Sequence, residues 1–507
     1  MLVVTPERKS LLGVLLFVII IQSFLGLFDP VEARQTHGEH VGHTKARISN
    51  IFDDFQTDCS TSFDELSDGV AFPEHQGCWH YRSYSVIYEF IYALSFILGG
   101  GYVGIKIFSL LISMFELVLL FTLMNRHFGA RSASISTLIY ATLPMYLYYA
   151  QTAIPPHIDA IVILLAALYS LPVLLGEDMN RKQRIIGWLV LIIGPFTGTL
   201  MAFAWAGFAL FVLLHPTRRN KSGILVSSCL VLLPVIAFFM QLSLNEALGS
   251  SASAHLGRFS SRSSLSSFLD SSFLIMFADD LANAIGPIGI VVAIVAVIRR
   301  HSIFSLPSEV QLALFGLGSM VFWTLFFFQI TFVECCTYFA YPLAPMIAIL
   351  STKTLDIAKQ SKEGIISALL VLSLIGGLQL HEVPNNYFER PMQQYVIEHI
   401  TDEDATVVLS QDLVQYNAFR FQLPNGSINF DPSESPEILR VIIDHRTPDH
   451  IILSASAFES GNVSVVLNES GYCVTELESD PHIPDHWITG WMSDILPIHV
   501  AVRCDDS

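Results

Sequence analysis

The chain has 507 residues, of which 52% are hydrophobic and 14% charged, and its mean hydropathy is +0.53. Such a composition excludes an ordinary soluble domain and places the protein among polytopic membrane proteins. The net charge of −18 disfavours nucleic acid as a partner, but in a membrane protein the side on which each charge lies matters more than the sum.

Apolar runs of about 18 residues or more mark candidate spans. The first, Leu11–Phe28, follows Arg8 and Lys9 and precedes Val31-Glu32-Ala33, a pattern shared with signal peptides and their cleavage sites. It is longer than the apolar region of such peptides, about 7–15 residues, which favours a retained first helix. Either way the next segment lies outside. Ile105–Met124, Ala133–Tyr149 and Ile158–Leu175 follow. The block Ile185–Leu214 is too long for one span. Gly194-Pro195 and Gly198 near its middle predict a break into two short helices, because Pro and Gly interrupt the helical ladder. Then come Ile224–Leu244, Phe273–Ile298, Val310–Ile330, Phe339–Leu350 and Ile365–Leu380. The expectation is a polytopic α-helical protein of about eleven spans.

With the N-terminus inside, the inner loops hold Arg8, Lys9, Arg126, Arg131, Arg181, Lys182, Arg184, Arg218, Arg219, Lys221, Arg299, Arg300, Lys353, Lys359 and Lys362. Splitting Ile185–Leu214 is what puts Arg181–Arg184 and Arg218–Lys221 on one side, as the positive-inside rule asks. Three large segments then lie outside: a first loop over 29–104, a loop over 245–272, and everything beyond 380. The reading is a membrane domain over 1–380 and a small extracytoplasmic α/β domain over 381–507. In that tail Asn385–Ile400 and Ser435–His445 read as helices, and Ala405–Ser410, His450–Ser454, Tyr472–Glu478 and Ile498–Cys504 as strands. The N-x-S sequons at Asn425, Asn462 and Asn468 fall there too. Cys59 with Cys78, and Cys473 with Cys504, are candidate disulfides for an oxidising compartment, whereas adjacent Cys335-Cys336 read as packing residues.

Ionisable residues at span ends are costly and therefore candidates for function. In the first outer loop Asp53 and Asp54 sit between Ile51, Phe52 and Phe55, an apolar setting that would raise a carboxylate towards the range of a general base. An acidic loop surface is the plain alternative. Lys106, at the outer end of its span, could meet a lipid phosphate or simply snorkel. Glu116 lies deeper in that span and reads as an interhelical pair. His157 and Asp159 open the fourth span from outside, and Glu334 precedes a later one. Arg258 and Arg262 are the cations of a Ser-rich outer loop, suited to an anion or to solvent alike. All of these except Glu116 are expected at one membrane face.

Three stretches give the chain its resemblance to a known family: FDDFQTD after the first span, the block Gly104–Leu168, and FVECCTYFAYPLAPMIAIL over Phe332–Leu350. The middle block opens on a basic residue, turns at R-x-F-G-x-R, ends a span in P-x-x-x-Y-Y, and opens the next with an acidic residue. The sequence thereby resembles the GT-C superfamily of glycosyltransferases that use lipid-phosphate sugars, in its protein O-mannosyltransferase and aminoarabinose-transferase-like branch. The resemblance implies that Asp53 is the base, with Asp54 beside it in place of the usual Glu. It sets Lys106 where the family commonly has an Arg, and Glu334, Tyr338 and Tyr341 where a His-x-Tyr-Tyr pattern often stands, here with Cys335 or Cys336 in place of the His. Pro73–Tyr84, with Arg82, holds the place of a Pro-rich motif and is a loose match.

The implied reaction transfers a sugar from a polyprenyl or dolichyl monophosphate to a hydroxyl of a protein, lipid or glycan acceptor, with inversion, at the outer or lumenal face of a plasma or endoplasmic reticulum membrane. Lys106, Arg258 and Arg262 would bind the donor phosphate, while His157, Asp159, Glu334, Tyr338, Tyr341 and Arg82 would contact substrate. This chemistry requires no cofactor. Relatives that use diphosphate donors often hold a divalent metal, and the sequence presents no ligand set for one. The alternatives are a transport or binding protein, which would place ionisable groups near the bilayer midplane within an internal repeat, and a non-catalytic member of the same fold.

Overall fold

The structure, a computed structural model, describes residues 6–28, 86–94, 102–152, 154–178, 180–198, 200–216, 221–247, 270–298, 305–327, 340–358, 367–375, 389–400, 405–410, 413, 428–430, 436–460, 462–477 and 497–504. Asp53, Asp54, Cys59, Cys78, Arg82, Arg258, Arg262, Glu334, Cys335, Cys336, Tyr338 and Asn425 lie outside them. The chain divides into two compact units, one helical and one built on a sheet.

In the helical unit Val103–Thr142, Pro155–Leu175, Gly223–Met240, Ser271–Ile298 and Ser308–Phe327 are long and apolar enough to cross a membrane. Shorter apolar helices, Met201–Leu214 and Leu343–Thr352, join them. Leu12, Trp188, Ile224, Leu225, Phe239 and Val297 are each at least half exposed. In water that apolar surface would drive association, whereas in hydrocarbon it is solvated. The protein is an integral membrane protein.

Glycines set the geometry at particular points. The helix Tyr102–Thr142 is two helices meeting at Gly129, whose φ of 79° belongs to the left-handed region that favours glycine. The break expected in Ile185–Leu214 is present: Arg181–Ile193 gives way to a 3-10 turn over Gly194–Phe196, and a new helix runs over Met201–Leu214. This second helix packs on Ser308–Phe327, where Gly207 faces the Phe315 carbonyl and Gly316 faces the Phe208 ring. Helices in lipid gain contact area by such close approach of small residues. A further break, at Gly286 (φ 64°) ahead of Pro287, bends Ser271–Ile298.

The second unit carries a five-stranded sheet: β1 (Val407–Ser410), β2 (Ile428–Phe430), β3 (His450–Leu453), β4 (Tyr472–Leu477) and β5 (Ile498–Arg503), in the order β2-β1-β3-β5-β4. β1 runs parallel to both β2 and β3, and β5 pairs antiparallel with β3 and β4. The inner strand β1, flanked by β2 and β3, is buried on both faces. On one side Val407 and Leu409 join Met392 and Val396 of the helix Glu389–His399 and Ile400 just beyond it, while on the other Val408 joins Leu439 and Ile442 of the helix Pro436–Arg446. A period of two along an apolar run divides it between two cores. Cys473 and Cys504 form a disulfide across β4 and the end of β5. Asn462 and Asn468 flank or occupy the short helix Val463–Glu469 with exposed side chains.

Candidate functional site

Within the helical unit one polar cluster joins chain stretches far apart in sequence. Glu116 and Tyr140 lie at near-equal chain distance on either side of the Gly129 turn, which brings them to one depth, and the Tyr140 hydroxyl donates to Glu116 Oε1. The Tyr341 hydroxyl, just ahead of the helix Leu343–Ala358, reaches Glu116 Oε2 at 3.1 Å and the Tyr140 hydroxyl at 2.9 Å. His157, in the first turn of the helix Pro155–Leu165, sets Nδ1 at 3.2 Å from Glu116 Oε2 and Nε2 at 2.9 Å from the Tyr149 carbonyl. All four side chains are fully buried. The Tyr341 ring lies edge-on to His157, with centroids 4.5 Å apart.

The hydrogen-bond inventory fixes the proton count. A carbonyl only accepts, so His157 Nε2 carries a hydrogen. Facing Nδ1 is a carboxyl oxygen, so one of these two atoms must donate. The pair is an imidazolium with a carboxylate or a neutral imidazole with a carboxylic acid. It is electrically neutral in both forms, which is what permits burial away from water.

Above this cluster the chain is irregular yet buried. Residues 150–152 and 154 follow the helix Pro144–Tyr149 without continuing it, and Ala150, Gln151, Thr152 and Ile154 are buried. Non-helical backbone is tolerated at membrane depth only where protein groups satisfy it. Here Gln22 Nε2 donates to the Leu147 carbonyl at 3.0 Å, Gln151 Nε2 to the Leu25 carbonyl at 2.8 Å, and His157 to the Tyr149 carbonyl. Lys106 is likewise buried, its Nζ 3.2 Å from the Gly26 carbonyl at the end of the first helix.

Among the described residues two buried carboxylates lack a partner. Asp159, 1% exposed, has no hydrogen-bond partner among the described residues for either oxygen, and Gly198 leaves the room it occupies, since a Cβ there would stand 2.6 Å from Oδ1. Asp280, also 1% exposed, is unpartnered at both oxygens in the helix Ser271–Ile298. A carboxylate so placed is open to a ligand that donates hydrogen bonds or carries positive charge. Among the described residues no group of three or more His, Cys, Asp and Glu could hold a metal ion, and both His157 nitrogens are already engaged.

Of the sequence-derived candidates, the structure describes Lys106, His157, Asp159 and Tyr341. His157 and Tyr341 come together around Glu116, the residue that sequence reasoning had set apart from them. Tyr140 and Asp280 were not singled out. A polar side chain inside an apolar span is the signal that marks both.

No protein-family model and no characterised protein matches the chain by sequence. Its fold does match solved structures. ArnT from Cupriavidus metallidurans bound to undecaprenyl phosphate is 13% identical, with a TM-score of 0.56, over 96% of this chain and 97% of that one. The oligosaccharyltransferase of Archaeoglobus fulgidus in complex with Zn and sulfate is 13% identical, with a TM-score of 0.51, over 90% of this chain and 69% of that one. AglB from the same organism, in complex with an inhibitory peptide and a dolichol-phosphate, is 12% identical, with a TM-score of 0.51, over 93% of this chain and 73% of that one. These likenesses show the GT-C fold.

Proposed function

We propose that this chain is a glycosyltransferase that moves a sugar from a polyprenyl or dolichyl monophosphate to an acceptor hydroxyl at the extracytoplasmic face of a bundle of about eleven spans. The observation that supports it most is the extent of the fold match, nearly end to end on ArnT. Fold alone is analogy, because one fold hosts many functions. The residues add to it. The Lys106 ammonium is held against the turn that follows the first helix, immediately ahead in sequence of the loop that carries Asp53.

In this reading Asp53 takes the acceptor proton as the acceptor oxygen attacks the anomeric carbon from the face opposite the phosphate. The bond from that carbon to the phosphate oxygen breaks, its electron pair stays on the polyprenyl phosphate, and the configuration inverts. A phosphate leaving group calls for cations rather than a strong acid, which is the role of Lys106, Arg258 and Arg262. Asp54, Arg82, Asp159, Glu334 and Tyr338 contact sugar or acceptor, whereas His157 and Tyr341 act through the buried cluster. No step requires a metal. The acceptor is a protein, lipid or glycan hydroxyl, and the membrane is the plasma or endoplasmic reticulum membrane.

The test is turnover of purified protein with a defined polyprenyl-phosphate sugar. Asp53→Asn is expected to lower kcat by at least about a hundredfold while donor binding persists, with Asp54→Asn run beside it. Unchanged turnover in Asp53→Asn removes Asp53 as the base. A transport or binding protein is the second reading, favoured by the buried ionisable groups Glu116, His157, Asp159 and Asp280. Flux of solute through proteoliposomes, without sugar transfer, would favour it.

A further inference from the structure

The structure assigns Glu116 and His157 a joint role as the positioning pair of the membrane-buried turn: by sharing one proton they lock the start of the helix Pro155–Leu165, and with it Asp159. The inference rests on the proposed function only in treating Asp159 as a substrate contact.

The contacts run in one sequence. Glu116 is fixed by two hydroxyls, those of Tyr140 and Tyr341, which come from the far side of the Gly129 turn and from the entry to another helix. It holds Nδ1 of His157, and Nε2 of the same ring holds the Tyr149 carbonyl, the last residue of the helix before the irregular stretch. A single imidazole therefore clamps both ends of the buried turn. Asp159 follows His157 by two positions, and its bare carboxylate sits in the space left by Gly198. A 1 Å displacement of such a group is enough to spoil a reactive geometry. None of the four cluster residues needs to touch substrate for this, so Glu116 and His157 are positioning residues.

The shared proton makes a sharp chemical prediction. A glutamine at 116 reproduces the protonated acid: its carbonyl oxygen accepts from Tyr140, and its NH2 donates to Nδ1 of a neutral His157. The Tyr341 hydroxyl can then turn to the Tyr140 oxygen, 2.9 Å away. With alanine or methionine at 116 the Tyr140 and Tyr341 hydroxyls keep only each other, so one hydroxyl proton and His157 Nδ1 are left buried without a partner.

The experiment compares the full-length wild type with E116Q, E116A, E116M and H157F in lipid nanodiscs. Hydrogen exchange of the amides around 150–160 is expected to rise about tenfold or more in E116A, E116M and H157F, and to stay near the wild-type rate in E116Q. In sugar transfer, E116M is expected to lose kcat with the donor KM unchanged, and E116Q to recover it. Should E116A fail to fold, E116Q against E116M decides the question. Wild-type protection in E116M overturns the positioning role. Exchange as fast in E116Q as in E116M overturns the shared proton, since a full carboxylate charge would then be required. If the wild type transfers no sugar from any lipid phosphate, the proposed function fails, while hydrogen exchange still judges the positioning pair.

Discussion

Asp159 owes its place to a missing methyl group. With a Cβ at Gly198 only 2.6 Å from Asp159 Oδ1, Gly198→Ala must push the carboxylate or the 3-10 turn aside. Overpacking of this kind costs about 1–3 kcal/mol. Gly318 is the natural control, because its nearest neighbour would be Met346 Sδ at 3.7 Å, an ordinary contact. Thermal unfolding in nanodiscs is expected to show a clear drop in Tm for G198A and little change for G318A. Equal midpoints would mean that the turn yields without cost. In sequence Gly198 reads only as a helix breaker, and nothing in its surroundings names a carboxylate from another helix as its neighbour. Asp159 was legible as a candidate because it is an acid opening an apolar span. Its lack of a partner was not, since a partner is a matter of what other helices bring.

At the level of elements, the breaks differ in how plainly the chain announces them. Gly194-Pro195 interrupts a run too long for one span, so length and composition agree. The bend at Gly286-Pro287 falls inside Phe273–Ile298, a run that hydropathy marks as a single span. In the structure Gly286 meets the Pro144 ring, where a Cβ would stand 2.9 Å from Cδ, so a contact between helices goes with the bend. The strands β1, β3, β4 and β5 fall within the apolar or alternating segments that read as strands, whereas the short β2 carries too few residues to show a period. In the sheet unit His450 Nδ1 and the Tyr395 hydroxyl are hydrogen-bonded at 2.9 Å. Burial, reinforced by His399 and opposed by Asp449, holds the His450 imidazole below its usual 6.5, and burial also lowers His499 against the pull of Glu476 and Glu459. The folded state then binds fewer protons than the unfolded state, so this stability is complete above pH 6.5 and declines as pH falls below it. Amides of β1 and β3, corrected for intrinsic exchange, should lose protection between about pH 7.5 and 5.5, less so in His450→Gln. Protection unchanged across that range would show that both imidazoles titrate alike in the folded and unfolded states.

For the molecule as a whole, the extracytoplasmic placement of the tail is the part of the proposed function that can be tested without any substrate. Asn462 and Asn468 are exposed sequons, and the Cys473–Cys504 disulfide belongs to an oxidising compartment. Expressed in eukaryotic cells, the protein should lose apparent mass on glycosidase treatment, with N462Q and N468Q each removing part of the shift. In sealed microsomes the tail should resist added protease. A tail that is digested in intact microsomes and never glycosylated would reverse the topology and place the outer loops, with Asp53, on the cytoplasmic side.

Composition, hydropathy and the distribution of Lys and Arg determined without help that this is a helical membrane protein with a strand-bearing tail, and FDDFQTD with the Gly104–Leu168 block pointed to the GT-C fold that the solved structures then displayed. Those properties are local: burial in lipid is set by runs of side chains, and a helix break by one or two residues. The tertiary structure alone decided that Glu116, Tyr140, His157 and Tyr341 share one buried site and that Asp159 stands bare beside Gly198. Contact between polar groups in a bundle depends on the depth and rotation of separate helices. The hydrophobic pattern of each helix, apolar nearly all round, leaves that rotation unspecified.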